Sequence, residues 1–257
     1  MVDLSSAYRG RVFLGELPAP VKDPRGEIAL LAPGGPNRRV YLSQSEEKAL
    51  RVAMACLEGP WARYGGFVPV GIGTIIVDPL EWGRHLPGLA EMCREKRVNL
   101  VSDERRTSPG LSGHAFFCEA FGVKPDALLF GRGWANGGDF FGFVVRPSRL
   151  TEPFPEQEKI DLNPMARVIA KIRDEGLEMA NEKEKLIKGF LDQKAIPARG
   201  AGALWLLDVA EPEKMAGGLA PYGFTITCRE GGLVLAPSLD LKDDVLMEGL
   251  EVLDRVL

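Results

Sequence analysis

Four short strand-like runs lie between Gly73 and Val145, and two of them, Gly73–Asp78 and Ala127–Phe130, are apolar almost without interruption. A strand with one wet face alternates apolar and polar residues. An unbroken run needs cover on both faces, the condition of a parallel sheet layered between helices. Val98–Asp103 and Phe140–Val145 are the other two runs, the last stopped by Pro147. Between them, Leu86, Leu89, Ala90 and Cys93 fall at helical spacing. Upstream, Arg39–Leu42 reads as a short buried strand after the turn Gly34-Gly35-Pro36-Asn37. Ser43, Gln44 and Ser45 then precede two glutamates and the apolar stripe Ala49, Val52, Ala53 and Cys56, which predicts a capped helix N-terminus. Strand and helix alternate, so the fold class is α/β with a mainly parallel sheet.

The pattern changes at Thr151. Thr151–Glu158, rich in Pro and Glu, reads as a linker. A long helix follows, with Met165, Val168, Ile169 and Ile172 on one face and Leu186, Ile187 and Phe190 further along. Ala203–Val209, Phe224–Cys228 and Leu233–Ala236 read as strands, and Leu246, Leu250, Leu253 and Leu257 as the apolar face of a last helix. The chain therefore divides into residues 1–152, a large α/β domain, and residues 153–257, a small α+β domain. Residues 1–20 receive no structural assignment from their sequence.

Composition removes several functions. The 32 basic and 36 acidic residues leave a net charge of −4, without the dense positive charge that nucleic acid or an anionic membrane surface demands. No apolar run reaches membrane-spanning length, and Met1–Ser5 lacks a signal-peptide pattern. Cys56, Cys93, Cys118 and Cys228 are widely spaced among apolar neighbours, which predicts buried thiols in a reducing cytoplasm. Two histidines, His85 and His114, are too few for a zinc site.

The chemistry concentrates in one succession: Asp103-Glu104-Arg105-Arg106-Thr107, then Cys118-Glu119-Ala120-Phe121-Gly122-Val123-Lys124-Pro125-Asp126, then Gly131-Arg132-Gly133. It resembles the core signature of the class III (ornithine- and acetylornithine-type) aminotransferases, fold type I enzymes that use pyridoxal phosphate (PLP). That family reads Asp-Glu-Val-Gln-Thr-Gly, Cys-Glu-x-Phe-Gly-Val-x-Pro-Asp and Gly-Lys-Gly, and the last lysine forms the Schiff base to PLP. Val40–Ala49 resembles its phosphate loop, Ile75–Pro79 its Val-Ile-Val-Glu-Pro, Leu162–Ala166 its Gly-Gly-Asn-Pro-Leu-Ala, and Leu233–Leu239 its Leu-Arg-Leu-x-Pro-Pro-Leu. The resemblance covers residues 21–257.

It implies a truncated fold type I large domain, a small C-terminal domain and a homodimer. It also implies a cofactor pocket containing Ser43 and Ser45 at the phosphate loop, Asp78, Asp103 facing the pyridine nitrogen, and Arg132. The departures fall on the chemistry. Arg132 stands at the Schiff-base lysine, and a guanidinium supplies no neutral amine. Gln44 replaces a glycine of the phosphate loop. No threonine matches the family's phosphate-binding residue in Glu158-Lys159-Ile160-Asp161, and Val234 replaces the arginine that clamps a substrate carboxylate. Residues 58–72 are too few for the two strands the family carries there, which predicts a sheet of about five strands.

Each site residue has a plainer reading. Ser43 and Ser45 are helix caps as readily as phosphate ligands. Asp103 is a strand-end residue able to engage Arg105 or Arg106; in its motif it marks the old cofactor site, with Arg132 expected to pair with it or with Asp78. Taken together, the residues point to a catalytically degenerate aminotransferase-like protein with a binding, scaffold or regulatory role. No cofactor is expected, and PLP could bind only noncovalently. The partners expected are a second copy of the chain, another protein or a small anionic ligand. The alternative is an enzyme holding PLP or an anionic metabolite noncovalently.

Overall fold

The structure is a computed structural model that describes residues 23–34, 37–57, 61–63, 71–107, 109–135, 140–150, 156, 158–224, 226–229 and 232–257, with backbone alone for 61–63 and 135. The chain forms two compact units. Among the described residues, one takes those within 23–110 and 114–175, and the other those within 111–113 and 176–257.

The first unit contains α1 (Pro24–Leu31), β1 (Arg39–Ser43), α2 (Glu46–Cys56), β2 (Trp61–Arg63), β3 (Thr74–Val77), α3 (Pro79–Trp82), α4 (Leu86–Lys96), β4 (Asn99–Glu104), β5 (Ala127–Phe130), β6 (Phe141–Val145) and α5 (Asn163–Lys171). Its strands form one mixed sheet in the order β1-β6-β5-β4-β3-β2. Strands β2 to β5 run parallel, while β6 is antiparallel to both β5 and β1. Every residue of β3, β5 and β6 is buried, which accounts for their apolar runs. Ile75, Val77, Leu128 and Phe130 face a core with Leu86, Leu89, Phe116, Met165 and Ile169. Ile76, Val101, Leu129 and Phe143 face a second core with Tyr41, Ala53 and Cys56. The sheet thus has the α/β architecture expected, with one correction. The sheet has six strands rather than about five: the 58–72 segment, too short for two strands, holds one, β2, which pairs residue by residue with β3, Trp61 opposite Thr74 and Arg63 opposite Ile76.

One end of this sheet is tied together by Asp126. Its carboxylate accepts from the Leu100 N–H of β4 at 3.0 Å and from Arg149 Nε at 3.0 Å. Its carbonyl accepts from Arg38 Nη1 at 2.7 Å and from the Arg146 N–H at 3.3 Å. The buried Arg38 also donates to the carbonyl of Pro125 at 2.9 Å. The starts of β1, β4 and β5 and the end of β6 therefore meet at one hub. The other end of the sheet is where β3, β4 and β5 finish.

The second unit contains α6 (Leu177–Gln193), β7 (Ala198–Ala201), β8 (Leu204–Asp208), α7 (Pro212–Leu219), β9 (Thr227–Arg229), β10 (Gly232–Leu235) and α8 (Asp243–Val256). Its antiparallel sheet runs β7-β8-β10-β9. Ile187, Leu191, Leu207, Leu233, Leu250 and Leu253 form its core. Strand β7, helix α7 and the earlier helix α1 are additions to the sequence reading. Ala198-Arg199-Gly200-Ala201 shows no apolar alternation, and α1 and α7 are only eight residues each.

The sequence puts the domain boundary at 152/153, whereas the main passage from one unit to the other falls at Glu175–Gly176, beyond α5. Met165 and Ile169 of α5 belong to the core under the six-stranded sheet, and this packing keeps the helix with the first unit. A π turn, Ile172–Gly176, joins α5 to α6. Of the linker read from the sequence, Thr151–Pro155 and Gln157 lie outside the described residues.

Candidate functional site

Ser43, Asp78, Asp103 and Arg132 all come to the same end of the six-stranded sheet. Asp78 follows β3, Asp103 is near the end of β4, and Arg132 lies two residues beyond β5. Ser43 pairs with Phe141, beside the Phe130–Gly142 pair, which places the end of β1 there too. The carboxyl ends of parallel strands are where open α/β sheets bind ligands.

Below this rim lies a residue that the sequence motif contains but does not explain. Glu104 is 1% exposed and accepts four hydrogen bonds. They come from Ser102 Oγ at 3.0 Å, Thr107 Oγ1 at 2.5 Å, and the Phe117 and Cys118 N–H groups, both at 2.9 Å. A buried carboxylate is tolerated only when its oxygens are satisfied in this way. Glu104 thereby fixes the Phe117–Phe121 turn beside β4. Glu119, in that turn, accepts from the Phe116 N–H at 2.9 Å, and burial pushes its pKa up to about 7.

Asp103 has a guanidinium partner, but it is Arg105. Arg105 Nε lies 2.7 Å from Asp103 Oδ1 and Nη2 lies 2.6 Å from Oδ2, a bidentate pair. The Arg105 N–H donates to the same carboxylate at 3.3 Å. The two side chains are only 10% and 15% exposed, so solvent screens the pair weakly. The hydrogen bond to Asp103 is the largest influence on Arg105 and raises its pKa; burial opposes it. Arg105 also pairs with Glu46 in the first turn of α2. The pair that the sequence assigns to Arg132 thus goes, on the Asp103 side, to Arg105. That residue is two positions away on the same strand end, and the plainer reading of Asp103 is the one that describes its contacts. Arg132 is exposed at the start of a 3-10 turn. Asp78 Oδ1 accepts from the Leu80 N–H at 3.0 Å and caps α3.

The loop from β1 to α2 is occupied from within the chain. Ser45 is the N-cap of α2, its Oγ accepting from the Lys48 N–H at 3.2 Å. Ser43 is fully buried, and its Oγ accepts from the Ser45 N–H at 3.1 Å. Ser43 Oγ also donates to Glu158 Oε1 at 3.2 Å, and the Gln44 N–H donates to Glu158 Oε2 at 2.8 Å. The Lys48 ammonium completes the set by pairing with Glu158 Oε1. The bond to Lys48 is the first cause holding the Glu158 carboxyl below its ordinary range, and the same bond raises Lys48. Neither Glu158 nor Lys48 is marked by the sequence as a site residue. Glu158 lies in the region that lacks the family's threonine, and its carboxylate lies on this loop.

A family model for class III aminotransferases matches residues 73–257. The chain belongs to the class III aminotransferase family. A 4-aminobutyrate aminotransferase from Mycobacterium leprae (strain TN) is 28% identical over 221 residues, covering 72% of this chain and 50% of that protein. Among solved structures, an ornithine aminotransferase from Plasmodium yoelii superposes with a TM-score of 0.65 at 19% identity, covering 85% of this chain and 73% of that one. An ornithine aminotransferase from Toxoplasma gondii, described with partial occupancy of PLP at its active site, gives 0.61 at 20% identity, covering 85% and 71%. These structural likenesses show the fold. The chain spans about half the length of the curated relatives it matches. No described helix is long and apolar enough to cross a membrane.

Family membership corrects one expectation. Arg132 led to the expectation of no cofactor, but class III aminotransferases are PLP-dependent, so PLP is the group this chain is expected to meet. The residues as arranged do not fit it. On the family's pattern the β1–α2 loop would meet the cofactor phosphate, but here Ser43 Oγ and the Gln44 N–H are engaged by Glu158, and a carboxylate there repels a phosphate. Asp103, which the family's pattern would set against a pyridinium nitrogen, is held bidentately by Arg105.

Proposed function

We propose that this chain is a class III aminotransferase homologue that no longer transaminates. It acts as a binding or regulatory subunit whose site takes a small phosphate-bearing or carboxylate ligand without a covalent bond. Arg132 carries this reading. The position that the family motif gives to a lysine holds a guanidinium, which is charged at any working pH and is no nucleophile. The Arg105–Asp103 pair supports it, because a ligand cation at Asp103 must first displace an arginine. We further read the chain as a homodimer, by analogy with its family, and as cytoplasmic, in keeping with its four free cysteines.

The test combines turnover and labelling. Purified protein is assayed with PLP and 2-oxoglutarate against 4-aminobutyrate and ornithine, the compounds named by its relatives. A second sample is treated with PLP and borohydride and weighed by mass spectrometry. The expected result is no turnover and no stoichiometric mass increase at a single lysine. Turnover together with one fully labelled lysine would overturn the proposal.

A further inference from the structure

The donors at the start of α2 are too well matched to one carboxylate to be ignored. A buried hydroxyl (Ser43), a backbone N–H (Gln44) and an ammonium (Lys48) converge on Glu158 from a different part of the chain. Those three groups, at the N-terminus of an 11-residue helix, suit a tetrahedral oxyanion as well as a planar one. Beside them opens a cleft of about 470 Å³ lined by Arg25, Leu42, Glu158, Lys159, Asp161 and neighbouring residues, within the size range of small-molecule sites. Glu158 lines this cleft and fills the anion position next to it.

The contact is built to be reversible. Glu158 belongs to no helix or strand, whereas Ile160 and Leu162 beyond it pack against the core of the first unit and the Leu162 carbonyl accepts from the Ala166 N–H at 3.0 Å, so the part free to swing is the Glu158 side chain. The Glu158 side chain is 23% exposed and that of Lys48 is 50% exposed, so water screens their attraction. A phosphate brings up to two negative charges and more acceptor oxygens than a carboxylate, and it gains more from the same donors.

We propose that Glu158 is an internal counter-anion that closes this seat, and that a phosphate-bearing ligand binds by displacing its side chain. The proposal deepens the reading of the site given above and takes from it only that the β1–α2 loop binds anions; Arg132 has no part in it.

The probe is inorganic phosphate, titrated calorimetrically into the full-length chain. Glu158→Gln keeps the shape and removes the competing charge, while Glu158→Asp keeps the charge but shortens its reach. Both variants should bind phosphate at least tenfold more tightly than the wild type, and Lys48→Met added to either should abolish the gain. Equal affinity in the wild type and in whichever of these variants folds would overturn the proposal, as would a gain that survives Lys48→Met. Covalent PLP at one lysine would end the function proposed above and leave this titration unaffected; equal phosphate affinities would do the reverse.

Discussion

Arg105 and Arg132 show what can be read one residue at a time. The motif picks out Asp103 and the strand it ends, and Asp103 is near the end of β4. Its partner is chosen by side-chain reach, which a family pattern does not encode, and Arg105 is closer than any residue on the next strand. Glu158 was illegible for a similar reason. Its contact spans more than a hundred residues of chain and depends on how an irregular segment returns to β1. Glu119 gives a titratable consequence. Its carboxyl ordinarily releases its proton near 4.5, but in the folded chain burial delays that to about 7. Below about pH 4.5 both folded and unfolded chains hold the proton. Between the two values only the folded chain does, so stability falls as pH rises. Relative to Glu119→Gln, which cannot titrate, the wild type should lose melting temperature from about pH 5 to 7 and run parallel above. Curves that stay parallel throughout would show that Glu119 titrates normally.

At the scale of elements, legibility followed apolar continuity. β3, β5 and β6 are buried at every position, and the sequence marked all three within a residue or two. Helix ends were less legible where they break the usual chemistry. After α6, Ala195 takes a left-handed backbone (φ 51°), while the Ile196 N–H closes back on the Leu191 carbonyl at 3.0 Å. That geometry is ordinarily given to glycine, because a Cβ crowds the adjoining peptide there. Ala195→Gly should therefore stabilise the protein by about 0.5–1 kcal/mol, after allowance for the freer unfolded chain. Urea unfolding measures it, and a loss of stability would contradict the strain.

For the whole molecule, the family was readable because several motifs keep their order along the chain. The unit boundary was not, because a Pro- and Glu-rich composition marks a linker but does not say which core the next helix joins. Quaternary structure is the next quantity to measure. Sedimentation equilibrium at micromolar concentration should give twice the mass of the chain, and a single-chain mass would remove the dimer from the reading. The Asp126 hub has a mechanical consequence. Four strand ends are pinned together at one margin of the sheet, like pages sewn along a spine, while the opposite margin carries Ser43, Asp78, Asp103 and Arg132. Adjustments to an incoming molecule are therefore confined to the unsewn side, and the hydrophobic layers beneath need not shift to admit it.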